Sequence, residues 1–315
     1  MNQGNHPGGI AALLDCLLRV IDPARCLALA LVLFSAGSVT ADTDTDTAPE
    51  HTSVWVVSKD GEQVYLGGTV HLLRPSDFPL PSQYEEAYEE SDKLYFETDI
   101  SGMSDMATQA RILQQLTYQD ERTLESVLNE EAYSALSTYM EGVGLPLAMV
   151  QKFKPGLLVS TLTVLEMQKL GFTPQGVDAY FNTRAMGDGK PVGQLESIDD
   201  QIGFMAKMGE GQESEFILVS LQDLKKTEML DQMIKAWRSG DDELLSAVFI
   251  DDMKAQSAEL YENILVSRNR NWMPIIEDML QQEGTEFVLV GAAHLVGEDG
   301  LLALLEDEGY TVSRP

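Results

Sequence analysis

In Val64-Tyr65-Leu66-Gly67-Gly68-Thr69-Val70-His71 an apolar run breaks at two glycines and closes on a histidine. Near the other end of the chain, Val288-Leu289-Val290-Gly291-Ala292-Ala293-His294 repeats the frame, with glycine three places before histidine. Short apolar, β-branched runs of this kind read as buried strands. A histidine just past such a strand stands where open α/β sheets place their ligands. The glycine removes a Cβ, so the backbone can turn sharply or a partner can approach closely. The chain has only 4 histidines, and His6 and His51 lie in a leader and a polar linker. That leaves His71 and His294 for the folded part.

Val54-Trp55-Val56-Val57 precedes the first histidine strand, and Asp60-Gly61 lies between the two, which predicts a tight β-hairpin. Ser82 to Ser91 is predicted as a helix with Ser82 as N-cap and Glu85 three places on. Lys93-Leu94-Tyr95-Phe96-Glu97-Thr98 reads as a short strand ending at an acid. From about 101 to 282 the periodicity is mostly helical, with amphipathic stretches around 129–142, 155–170, 198–208 and 241–282. Only KPVGQL, at 190–195, reads as a strand there. The C-terminal segment returns to strand at 286–291, helix from about Asp299 to Asp307, and a last strand Tyr310-Thr311-Val312. The fold class is therefore α/β (α+β): a mixed central sheet built by N- and C-terminal segments around a large helical middle.

The chain carries 51 acidic against 21 basic residues and a formal charge of -30. That balance repels phosphate backbones and anionic bilayers, which argues against nucleic-acid or membrane-surface partners. Arg19 and Arg25 precede the apolar run CLALALVLFSAG, and Val39-Thr40-Ala41 follows it, the pattern of a secretory signal with cleavage expected after Ala41. The expected organisation is a signal peptide at 1–41, a polar linker at 42–52 and one domain at 53–315, in the periplasm or outside the cell. The apolar run is short for a bilayer span, so no stable membrane span is expected after cleavage. Both cysteines, Cys16 and Cys26, fall in the leader, so the mature chain has neither a disulfide nor a thiolate ligand.

Glu97 ends its strand as His71 ends the hairpin, and a carboxylate with two imidazoles is a common ligand set for a divalent ion with open positions. His71, Glu97 and His294 are thus candidate metal ligands, for Mn, Co or Zn, whose bound water would be activated for hydrolysis. The same residues could do acid–base work without metal, and the alternative for Glu97 is a helix N-cap or a surface acid at a strand end. Methionines between 140 and 279 at helical spacing, with Trp237 and Trp272, read as core, an apolar substrate groove being the alternative. WRSGD reads as a helix ending at Gly240 with an Asp cap for the next.

The frames WVVSKDGEQVYLGGTVHLL, FPLPSQYEEAYEESDKLYFETD, GVDAYF, KPVGQLES, WRSGD, RNRNW and VLVGAAHLVGEDGLLALLEDEGYTV resemble the TraB/GumN family, which includes the Tiki ectodomains and the pheromone-shutdown proteins. The resemblance covers about Val54 to Val312. It implies a fold related to the erythromycin-esterase and ChaN-like group, and, by analogy with the Tiki branch, a metal-dependent protease using both motif histidines and Glu97. It also marks Arg268 and Asn269 in RNRNW as catalytic candidates, suited to a substrate carboxylate or an oxyanion. Asp178 in GVD and Glu196 in QLES are marked as groups supporting the site. The implied substrate is a peptide or a small amide or ester. A non-catalytic protein that holds such a ligand, and a metal-free esterase-type hydrolase, are the competing expectations.

Overall fold

The computed structural model describes residues 51–226 and 228–315. The expected leader and most of the linker lie outside the described residues. Strand β1 (Val54–Lys59) turns at Asp60 and Gly61, both at positive φ (54° and 99°), into β2 (Glu62–Thr69). This is the two-residue turn that Asp-Gly predicts, and it pairs Lys59 with Glu62. After the helix Ser82–Glu90 comes β3 (Lys93–Phe96). The helix begins differently from expectation: Pro81 is its N-cap and Ser82 lies inside the first turn. Pro81 supplies no side-chain cap, and proline's fixed φ suits the entry to a helix.

The middle of the chain is helical except for β4 (Val192–Gln194), within the predicted KPVGQL. Observed helices Glu130–Gly142, Pro155–Lys169 and Ile198–Lys207 match three predicted stretches. The span 241–282 is instead broken into Asp242–Phe249, Asp251–Gln256, Ala258–Tyr261, a π turn Glu262–Val266 and Ser267–Met279. Asp241 caps the first of these by accepting from the Leu244 N–H, and Gly240, at φ +59°, ends the helix before it, Glu228–Ser239. The chain closes with β5 (Glu286–Gly291), the helix Leu301–Asp307 and β6 (Thr311–Ser313).

The six strands form one mixed sheet in the order β4-β3-β5-β2-β1-β6. β4, β3, β5 and β2 run parallel, while β1 is antiparallel to β2 and β6. The strand nearest the C-terminus but one, β5, therefore occupies the centre of the sheet. It is buried along almost its whole length, as a parallel strand covered on both faces must be. The expected α/β class with terminal segments completing the sheet is observed. Met140, Met167, Met205, Met233 and Met279 are core, as are Trp237 and Trp272.

Candidate active site

Four neighbouring parallel strands end on the same edge of the sheet, and a titratable residue follows each. His71 follows β2, Glu97 follows β3, Glu196 lies just past β4, and His294 ends the short 3-10 turn after β5. The two histidine frames are in register, with Gly68 opposite Val290 and Thr69 opposite Gly291. A Cβ on Gly68 would lie 3.2 Å from Ala292 Cα, so this glycine lets the two frames pack closely.

His71 is held by Asp178. Its Nδ1 lies 2.7 Å from Asp178 Oδ2, with the side chains only 8 % and 12 % exposed. Asp178 opens the helix Val177–Asp188, whose start is pressed against the backbone after β2: the Val177 N–H donates to the Val70 carbonyl at 3.1 Å. Gly176 permits this approach, because a Cβ there would lie 2.2 Å from the Val70 oxygen. The GVD motif is thus a glycine that brings a helix N-terminus to the histidine and an acid that binds it. Burial pulls His71 toward its neutral form, but the Asp178 charge and hydrogen bond outweigh it and raise the pKa above the ordinary imidazole value.

Glu97 and His294 meet through Arg268. The Arg268 guanidinium, 1 % exposed, donates from Nη2 to Glu97 Oε2, from Nε and Nη2 to the two oxygens of Glu196 at 3.0 and 2.7 Å, and from Nη1 to His294 Nε2 at 3.0 Å. The second Glu97 oxygen accepts from the Gly291 N–H at 2.7 Å, and a Cβ on Gly291 would stand 3.2 Å from it. This glycine makes room for the carboxylate. Burial alone would raise the Glu97 pKa, yet Arg268, both histidines and the Gly291 amide lower it to about 2. Glu196 shares the same arginine but moves up, because burial dominates and the Glu97 charge adds to it. Glu97 is therefore the firmly ionised member.

Arg268 follows the π turn Glu262–Val266, a local widening often found at functional sites, and its Nη1 returns to the Ile264 carbonyl. Its guanidinium lies 4.6 Å from the Trp272 ring. Asn269 holds His294 from the other side: its Oδ1 faces His294 Nδ1 at 2.7 Å, and its Nδ2 donates to the His294 and Asp299 carbonyls. His294 is fully buried, and burial followed by Arg268 drives its pKa down to about 3.

A cavity of about 440 Å³ opens at this edge, lined by His71, Glu97 and Asp178 with Thr98, Asn182 and Gln201. His71 and Glu97 reach it; Arg268, Asn269 and His294 stand behind its wall. Gln201, Thr98 and Asn182 carried no signal in the sequence, since a single amide or hydroxyl has no diagnostic spacing. Among the described residues no group of three or more His, Cys, Asp or Glu side chains is arranged to hold a metal ion. The reason is local. The guanidinium bridges Glu97 Oε2 and His294 Nε2, so both candidate ligand atoms already face a cation. In this arrangement His71, Glu97 and His294 do not fit a shared divalent ion.

No described helix is long and apolar enough to cross a membrane. The chain is 24 % identical to the protein named Uncharacterized protein YbaP of Escherichia coli (strain K12), over 76 % of this chain and 87 % of that one. It is 23 % identical to Metalloprotease TIKI1 of Danio rerio, over 86 % of this chain but 64 % of that longer protein. No solved structure matches, so the expected kinship with the ChaN-like group gains no support. The family model of the TraB/PrgY/gumN family matches residues 53–314, the span that contains every described strand and every residue of the site, and the chain belongs to that family.

Proposed function

We propose that the chain is an exported hydrolase of carboxylic amides or esters, most naturally of peptides, with His71 as general base. The observation that carries this is the His71–Asp178 pair, 2.7 Å apart in the wall of the strand-end cavity. Asp178 occupies Nδ1, so Nε2 is the nitrogen that takes a proton from water. The water oxygen bonds to the substrate carbonyl carbon, the bond from that carbon to nitrogen or oxygen breaks, and His71 returns the proton to the leaving group. An acid and an amine or alcohol result. Glu97, fixed by Arg268 and Gly291, lies beside the reacting centre as a carboxylate that supports the cationic form of His71. Arg268 and Asn269 act through Glu97 and His294 as positioning residues. The leader at 1–41 supports export.

A second reading, metal dependence, is favoured by the likeness to Metalloprotease TIKI1. It requires the Arg268 guanidinium to leave Glu97 and His294. The two readings part in one experiment: purified protein is assayed for bound Mn, Co and Zn by elemental analysis, and for cleavage of a peptide library with and without chelator. Cleavage that survives chelation and is lost in His71→Ala supports the imidazole base. Stoichiometric metal, lost in His71→Ala, Glu97→Ala and His294→Ala, supports the metal. Peptides protected and never cut would make the protein a binder and sink both.

A further inference from the structure

Two polar atoms in buried side chains of the cavity wall have no hydrogen-bond partner among the described residues: Oε1 of Gln201 and Oγ1 of Thr98. Gln201 is 7 % exposed and Thr98 3 %. Buried acceptors without a donor are uncommon in folded proteins, because they give up hydration for nothing. The Gln201 amide is not free to turn over. Its Nε2 lies 3.4 Å from Glu97 Oε2, and an ionised carboxylate only accepts, so the NH₂ must face Glu97 and the carbonyl oxygen must face away. Thr98 can donate or accept, but Gln201 Oε1 can only accept.

The rest of the lining narrows the ligand. Glu97 and Asp178 contribute carboxylates, no lysine or arginine side chain lines the cavity among the described residues, and Leu72, Ile100, Met103 and Met186 supply apolar surface. An anionic ligand is disfavoured there. A neutral ligand with an apolar side chain and a donor is favoured. No described group donates to Gln201 Oε1, which is closed to solvent as well, so a substrate that packs against it must bring a donor of its own.

We propose that Gln201 is a specificity-determining residue that accepts the N–H of a peptide substrate, so that the cavity selects amides over esters. In an ester the N–H is replaced by an oxygen, and two acceptors would meet at Oε1. The inference rests on the hydrolase reading only for the fate of the bond; recognition is separable from it.

The test uses the full chain and an N-acetylated hexapeptide of alanine, leucine and methionine. Beside it stand the analogues methylated on one backbone nitrogen at a time and the depsipeptides with one amide replaced by an ester. Binding is read by calorimetry and cleavage by mass spectrometry. Loss of the donor at one position should weaken binding about tenfold, the worth of one hydrogen bond, and Gln201→Leu should abolish that difference. If every analogue binds as the parent does, or no peptide binds, the inference is overturned. Peptides bound with the positional penalty but never cut would sink the hydrolase reading and leave the recognition standing; cleavage without the penalty would do the reverse. The analogue scan needs no variant, so a misfolded Gln201→Leu does not blunt it.

Discussion

His294 Nε2 lies 3.0 Å from Arg268 Nη1, and because a guanidinium can only donate, the imidazole nitrogen is the acceptor. The proton of His294 therefore sits on Nδ1, where the Asn269 carbonyl oxygen receives it at 2.7 Å. Asn269 is oriented for this by giving its own NH₂ to two backbone carbonyls. The histidine that the sequence offers as a metal ligand is here a neutral spacer that fixes the guanidinium.

Arg268→Met should cost about 3–5 kcal/mol of stability, since it strands Glu97 and Glu196 in a site they entered as partners of a buried cation. Urea unfolding measures it. A loss under about 1 kcal/mol, the worth of an exposed pair, would show that the arginine does not hold these acids. Arg268→Lys should not rescue, because one ammonium cannot span two carboxylates and an imidazole.

Stability should peak near the ordinary imidazole value of 6.5 and fall on both sides. His294 titrates near 3 in the fold, so between 6.5 and 3 the unfolded chain binds a proton that the fold refuses, and stability falls as pH drops. Glu97, near 2 in the fold, acts in the same direction below the ordinary carboxylate value. His71 has the opposite sign: its raised pKa gives stability that is full below 6.5 and lost as pH rises through the folded value. Melting temperature measured across this range checks it. A His294→Asn variant should lose the upper part of the acid limb, and a wild type equally stable between pH 4.5 and 6.5 would contradict the neutral, buried imidazole.

Asp178→Asn should lower the His71 pKa, because the amide no longer supplies the charge that offsets burial; Glu97 and Arg268, the other charges acting on His71, are unchanged. A histidine NMR titration reads this without any substrate. In the proposed hydrolysis the base works when neutral, so the acid limb of the rate profile should move to lower pH. The maximal rate should fall by about a hundredfold or more through lost orientation. An unmoved His71 titration would remove Asp178 from its assigned part.

Gly176→Ala should destabilise by about 1–3 kcal/mol, the usual cost of forcing extra atoms into a packed site. Its Cβ would lie 2.2 Å from the Val70 oxygen and 2.3 Å from the His71 carbonyl carbon. The helix bearing Asp178 must then retreat from His71, so the NMR titration should shift in the direction seen for Asp178→Asn. Chemical denaturation and the titration together separate this from a general loss of packing.

The strand ends and their residues were legible because parallel strands leave a local mark: VYLGGTVH and VLVGAAH are short apolar runs, rich in β-branched residues and closed by glycine. The same locality hid the wiring. Nothing in RNRNW says that its first arginine reaches Glu97, 171 positions away, or that GVD closes on a histidine 107 positions earlier. The metal expectation came from ligand types and from the family resemblance, neither of which registers the guanidinium that stands between Glu97 and His294. Gln201 was invisible for a plainer reason: its meaning lies in an acceptor with no mate, which only three dimensions reveal. The long helical span 241–282 was misjudged because each break in it is a short cap or a π turn that leaves the apolar period nearly intact.

The central place of β5 has a temporal consequence. During synthesis, a chain that has not yet delivered Glu286–Gly291 has no middle to its sheet. β2 and β3 then cannot face each other across it, and Glu97 lacks the amide that orients its carboxylate. The site is therefore incomplete in the shorter polypeptide. The cavity edge is assembled only when β5 joins the sheet, whatever the order in which the other strands are made.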